Sequence, residues 1–162
     1  MKWISSLLIF LLCTFYIQCT KKVGEIKETN KTDNAVSKPT SKVHFVPNVL
    51  LTEVMNIAES EGKLIYMDVN AKWCTPCKMM QKDVYTDTET AQFLNENFVN
   101  HYVDVEVDEG PDIKLIFNIH VLPTLFILDS KGREVSRHEG ALYHHDLMNF
   151  CNAALIKYRD GK

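Results

Sequence analysis

The feature that most constrains this chain is the hexapeptide Trp73-Cys74-Thr75-Pro76-Cys77-Lys78. Two cysteines with two residues between them can close a small disulfide within one turn of chain. Upstream, Leu64-Ile65-Tyr66-Met67-Asp68-Val69 is a short apolar run rich in strand formers and reads as a buried strand. Downstream, Lys78-Met79-Met80-Gln81-Lys82-Asp83 holds good helix formers and no breaker. The pair therefore sits where a strand gives way to a helix, with Cys74 at or near the helix N-terminus. Unpaired N–H groups and the positive end of the helix dipole favour an anion there, so a thiolate at Cys74 is expected to be stabilised. Pro76 suits a first turn, where its missing N–H is not needed. Cys77, one turn along, can attack a mixed disulfide formed at Cys74. The expected roles are Cys74 as nucleophile and Cys77 as resolving thiol.

The rival chemistry for this spacing is zinc, since Cys-x-x-Cys is half of many structural zinc sites. The second half is missing: His144 and His145 are adjacent, and Cys151 is single. No metal site is expected. The remaining cysteines, Cys13 and Cys19, lie in an N-terminal apolar segment, so the five do not form a disulfide framework. A net charge of −3 gives no sign of a nucleic-acid partner.

The segment from Asp68 to Lys78 resembles the active-site region of the thioredoxin superfamily. Val121-Leu122-Pro123-Thr124 resembles that family's cis-proline loop, and Gly140-Ala141-Leu142 the turn before its last helix. The resemblance covers residues 47–158, with three separated motifs in the family's order. It implies an α/β, thioredoxin-like fold, a central mixed sheet flanked by helices on both faces. It also implies a protein-disulfide oxidoreductase without a tightly bound cofactor. Its partners would be protein disulfide substrates and an upstream dithiol electron donor. Asp68 matches an acid thought to deprotonate the resolving cysteine, a role that would serve Cys77; the alternative is a strand-end Asp facing solvent. Many thioredoxins carry a lysine on the next strand near this acid. Counting back from Pro123 without a gap puts Asp104 there, and repulsion would follow if both acids faced one site. Trp73, Thr75, Pro76, Leu122 and Pro123 would form the substrate-binding surface. The proline loop would offer backbone groups to an extended peptide.

The segment Met79-Met80-Gln81-Lys82-Asp83-Val84-Tyr85 and the longer spacing to Pro123 look more like the thioredoxin-like domains of the DsbD type, which act as periplasmic reductants. Thr-Pro between the cysteines matches neither the common reducing pair nor the strongly oxidising one. A reductant is the favoured reading. A disulfide oxidase or isomerase is the nearer alternative. A copper-binding module using Cys74 and Cys77 as soft ligands is the further one, with Met79 or Met80 as third ligand or simply as helix packing.

The rest of the chain supplies the setting. Residues 1–19 read as a targeting segment: Lys2, then an almost wholly apolar run from Ile4 to Ile17, shorter than the roughly 20 residues of a membrane span. The run ends at Cys19, as in a bacterial lipoprotein signal in which that cysteine is lipidated, although Gln18 is not the usual small residue; an uncleaved anchor or ordinary secretion are the alternatives. Each places the domain outside the cytoplasm, periplasmic and membrane-anchored on the favoured reading. Residues 20–42 are polar and read as a flexible linker.

Residues 43–162 form the expected thioredoxin-like domain. A short edge strand is expected at Val43–Val46, then a helix through Val54, Ile57 and Ala58, with Thr52 able to cap a turn and Gly62 closing it. A second helix restarts at Thr88. Alternation from Val99 to Val107 predicts a strand with one buried face, followed by a turn and a short helix bearing Ile113, Leu115 and Ile116. A hairpin of Leu125–Leu128 and Glu134–His138 precedes a closing helix with Leu147, Phe150, Cys151 and Ala154 on its packing face. Cys151 reads as a core residue, and the histidines as surface or structural ones.

Overall fold

The computed structural model describes residues 42–46 and 49–161. The expected targeting segment of residues 1–19, with Cys19, and all but the last residue of the linker lie outside the described residues. The strands are β1 (Phe45–Val46), β2 (Leu64–Asn70), β3 (Phe98–Asp104), β4 (Thr124–Leu128) and β5 (Glu134–Glu139). They form one mixed sheet in the order β1-β3-β2-β4-β5, parallel across β1, β3 and β2 and antiparallel across β2, β4 and β5. β2 is the middle strand and is buried at all seven positions. That is why its sequence is a near-continuous apolar run rather than an alternation.

The pleat divides that run between two cores. Ile65, Met67 and Val69 join Phe126 and Leu128 and pack with Val54 and Ala58 of α1 (Leu51–Glu61). Leu64 and Tyr66 join Leu125 and Ile127 and pack with Leu94 of α3 (Thr88–Asn97) and with Leu147, Cys151 and Ala154 of α5 (His144–Asp160). Between them in sequence, α2 (Thr75–Met79) runs into a π-helical turn, Met80–Val84, and α4 (Gly110–Ile116) follows β3. Among the described residues no helix is long and apolar enough to cross a membrane.

Two local expectations are corrected. Thr52 caps nothing: the N-cap of α1 is Leu50, without a side-chain cap, and the Leu51 N–H instead donates to Glu109 Oε1 at 2.6 Å. The strand expected over 99–107 ends at Asp104, where its partner β2 also ends. The Val105 N–H still reaches Asn70 O at 2.9 Å, but the chain then turns away through Asp108 at φ 50°. The alternating valines run on past the last paired residue, leaving Val107 exposed. Up to that point the face of Val99, His101, Val103 and Val105 is buried as expected; on the other face Asn100 is buried too, and Tyr102 and Asp104 are half-buried. The short helix expected to carry Ile113, Leu115 and Ile116 is α4, with Ile113 in the core and the other two exposed.

Candidate active site

Cys74 and Cys77 are joined by a disulfide, with their Cα atoms 5.3 Å apart. The strand-to-helix junction is made by the backbone. The Cys74 N–H donates to Ala71 O at 3.0 Å, which turns the chain off the end of β2. Cys74 is the N-cap of α2, with extended dihedrals, and Pro76 occupies the first turn. The Cys77 N–H donates to the Cys74 sulfur at 3.2 Å, so one of the orphan donors of the helix start points at that sulfur. Cys74 is 3% exposed and Cys77 not at all, so an incoming group meets Cys74 first.

Thr75 and Pro76 are exposed beside the pair. Trp73 is 63% exposed, with its indole N–H donating to Glu106 Oε1 at 2.9 Å. Leu122 packs against the apolar cluster that contains both cysteines. The Leu122–Pro123 peptide is cis, and Pro123 is buried. The Pro123 carbonyl accepts the Gly140 N–H at 2.8 Å, tying the turn before α5 to the proline loop. Gly140 has φ +100°, a conformation that favours glycine. A cleft of about 620 Å³ is lined by Lys72, next to the motif, and by Glu53, His101, Asp104 and Glu109, but by neither cysteine.

Asp68 is fully buried on β2. Its Oδ2 accepts the Tyr85 hydroxyl at 3.0 Å, and the Tyr85 and Tyr66 hydroxyls lie 2.8 Å apart. Its Oδ1 has no hydrogen-bond partner, and no hydrogen bond joins the carboxyl to either sulfur in this disulfide-bonded form. Burial pushes its pKa from 3.8 up to about 7, with the Tyr85 hydrogen bond pulling the other way. The acid thus lies within the fold and not at a solvated strand end.

The repulsion weighed for Asp104 is not among the causes that shift Asp68, which are burial and, in the opposite sense, Tyr85. The register sets Tyr102 across from Asp68 and Asp104 across from Asn70. The Asp104 carboxylate instead accepts the Glu106 N–H at 3.0 Å. Tyr85 escaped the sequence reading. Its signals were the DsbD-like segment that ends at Tyr85 and the break in helical pattern at Val84–Thr88, where the π turn ends, and neither gave it a role. Cys151 is buried against Tyr66, and burial pushes its thiol pKa up. Burial also lowers His101 to about 4.

Comparison with known proteins agrees with this geometry. The family model Thioredox_DsbH, described as a protein of unknown function, DUF255, matches residues 36–124. Thioredoxin H2 of Arabidopsis thaliana is 30% identical over 105 residues, covering 65% of this chain and 74% of that one. The thiol:disulfide interchange protein DsbD of Actinobacillus pleuropneumoniae serotype 5b is 33% identical over 100 residues, 59% of this chain but only 17% of the relative's length. A solved structure of a candidate disulphide-isomerase from Bacteroides thetaiotaomicron superposes with a TM-score of 0.64 at 30% identity, covering 73% of this chain and 97% of that one. With a cysteine pair seated at the strand-to-helix junction of a matching mixed sheet, the chain belongs to the thioredoxin superfamily, in its DsbD- and DsbH-like family of thiol–disulfide oxidoreductases.

Proposed function

We propose that the chain reduces protein disulfides outside the cytoplasm. The observation that carries this reading is Cys74 as the N-cap, its sulfur already accepting an N–H of the first turn. When the bond is reduced, that donor and the helix dipole favour a thiolate on Cys74, the more accessible sulfur. The thiolate attacks one sulfur of a substrate disulfide, and the other leaves as a thiol. Cys77 then loses its proton to Asp68 and displaces the second substrate sulfur from Cys74. The second substrate sulfur takes up the proton held by Asp68 and the first takes one from solvent, so the substrate gains two electrons and two protons and the Cys74–Cys77 disulfide is restored. An upstream dithiol protein returns the electrons, and no bound cofactor is required.

Trp73, Thr75 and Pro76 would form one wall of the substrate groove. Leu122 and Pro123 would form the other, offering backbone groups to an extended peptide. The DsbD relative supports placing this chemistry in the periplasm. The domain, residues 43–162, would be tethered by the linker of residues 20–42 and held by the segment 1–19, with Cys19 as the lipidated residue.

The likeness to the Bacteroides protein favours a second reading, an isomerase or oxidase. The test is the reduction potential of the Cys74–Cys77 pair in the full chain, equilibrated against glutathione and dithiothreitol buffers. A value near the −270 mV of thioredoxins supports the reductant, and one near −120 mV reverses the electron flow. Failure to form the disulfide would sink both and bring soft-metal binding at Cys74 and Cys77 forward. The roles of the two sulfurs are checked by trapping. Cys77→Ser should accumulate a mixed disulfide with substrate, and Cys74→Ser should not.

A further inference from the structure

The cleft of about 620 Å³ opens beside the dithiol rather than over it, between the start of α1, the end of β3 and the turn that leads into α4. Lys72 lies on its near rim, two residues before Cys74, so their Cα atoms are at most about 7 Å apart. Trp73 stands between them in the chain. Its indole N–H on Glu106 Oε1, at 2.9 Å, fastens the motif to the turn that walls the cleft. The lining is strongly one-signed: Glu53, Asp104, Asp108 and Glu109 are set against Lys72 alone. Among the described residues none of the four carboxylates is paired with a lysine or arginine. Glu109 shows the crowding. Burial raises its pKa, the Leu51 N–H pulls it down, and the charges of Asp108, Asp112 and Glu53 push it up again. A cation seated among them would relieve that repulsion.

Charge alone would mean little, since carboxylates on a surface turn are ordinarily solvated. The second observation is His101. Its side chain is 4% exposed, it lines the cleft, and neither ring nitrogen has a hydrogen-bond partner. Nε2 stands 3.6 Å from Glu109 Oε1, too far for a hydrogen bond in either tautomer. Buried polar atoms left unpaired are rare in folded proteins. Burial holds the His101 pKa down at about 4, so the ring is neutral near pH 7 and one nitrogen is an acceptor. Glu109 Oε1 takes the Leu51 N–H at 2.6 Å, which fixes the carboxylate against the imidazole. With the ring proton on Nδ1, the Nε2 lone pair and the carboxylate are two acceptors side by side. Paired acceptors suit the planar fork of a guanidinium better than a compact ammonium. Leu50 and Val107, exposed on the rim, offer apolar surface to the methylene stem of such a side chain.

We propose that the cleft is a substrate subsite for an arginine side chain a few residues from the target cysteine, with Glu53, Asp108 and Glu109 supplying the charge and His101 a further acceptor. This rests on the reading of the Cys74–Cys77 pair as a disulfide reductant and gives that reductant a preference, for disulfides flanked by a basic residue. The subsite acts on where the substrate sits and takes no part in the sulfur exchange. Its effect therefore belongs in binding, not in the rate of the bound complex.

The test uses the full chain and uncharged peptides with one internal disulfide. Each carries arginine at one position near a cysteine, or citrulline, its uncharged isostere, at the same position. Single-turnover reduction by the pre-reduced chain, quenched with acid, gives a half-saturating concentration and a limiting rate. At the best position arginine should lower the half-saturating concentration about tenfold against citrulline, the worth of one charge-assisted hydrogen bond, and leave the limiting rate alone. The gain should shrink as salt rises. Asp108→Asn with Glu109→Gln removes two charges, while the glutamine oxygen can still accept the Leu51 N–H. It should bring the arginine peptides to the values of their citrulline partners. Equal values for arginine and citrulline at every position in the wild type would overturn the proposal, as would a gain that survives the double variant. Nitrogen NMR of the oxidised chain separates this from the underlying reading, because two disulfides exchange no electrons. The His101 ring nitrogens should shift with the arginine peptide and stay still with the citrulline one. Shifts without any peptide reduction would sink the reductant and keep the subsite; reduction with neither the shifts nor the arginine gain would sink the subsite and keep the reductant.

Discussion

Asp68 is where one side chain sets a property of the whole fold. Its pKa of about 7 in the folded chain lies above the 3.8 of an unperturbed aspartate, because burial penalises the charge. The folded state therefore holds a proton that the unfolded state has released. The stability this contributes is fully present below about pH 4 and is lost as pH rises through about 7. The difference corresponds to on the order of 4 kcal/mol. Asp68→Asn removes the titration, so the variant should gain on the wild type between pH 4 and pH 8 and then run parallel. Urea midpoints at those two pH values check this; identical pH dependence in both proteins would mean Asp68 is not the buried titrating group. Cys151 is the opposite kind of residue. With no exposure and its thiol pKa raised, it should resist alkylation in the native chain while reduced Cys74 reacts. Mass-spectrometric mapping of the first label would show it. Cys74, Cys77 and Asp68 were legible in the sequence because their spacing along one strand, turn and helix is local. Tyr85 was not, because what makes it matter is a contact with Asp68 across 17 residues.

Helices and strands were legible to the extent that their causes were local. Gly62 ends α1 in the left-handed region at φ 65°, with its N–H on Ala58 and Glu59 carbonyls, as a glycine after a helical run should. The start of α1 was misread because its cap comes from Glu109, 58 residues away. The end of β3 was misread because alternation records which side chains can be buried, not where the partner strand stops. The turn that follows β3 depends on Gly110. A Cβ there would run into the Asp104 carbonyl and come within 2.9 Å of Val105 Cα, both backbone and neither able to swing aside. Gly110→Ala should therefore displace the turn and the adjoining Glu109 cap, costing on the order of 2 kcal/mol. Thermal unfolding should show a matching fall in Tm. An unchanged Tm would mean that the backbone at Asp104 yields more freely than its pairing with Asn70 suggests.

Taken over its described length, the chain is a sheet with two cores, one on each face, and the dithiol lies in the core beneath α1 rather than in the one beneath α5. That architecture followed from the alternation of strands and helices and from the hairpin after Pro123, both long-period patterns that survive local misreadings. Electron direction did not follow, because it depends on the difference in stability between two forms of one fold. A disulfide closing a loop as short as Cys74–Cys77 raises stability by about 2 kcal/mol through the unfolded chain alone. Against this, the first turn of α2 stabilises a Cys74 thiolate and so favours the reduced form. In a reductant the first effect prevails. In a strong oxidant the reduced form is the more stable. For the reductant proposed here, the oxidised chain should unfold at higher urea than the reduced chain, by less than about 2 kcal/mol, at a pH where both are folded. Equilibrium unfolding with and without excess dithiothreitol measures the difference. The reverse order would mean that the N-terminal turn outweighs the covalent link, and the chain would then pass disulfides to its substrates instead of taking them.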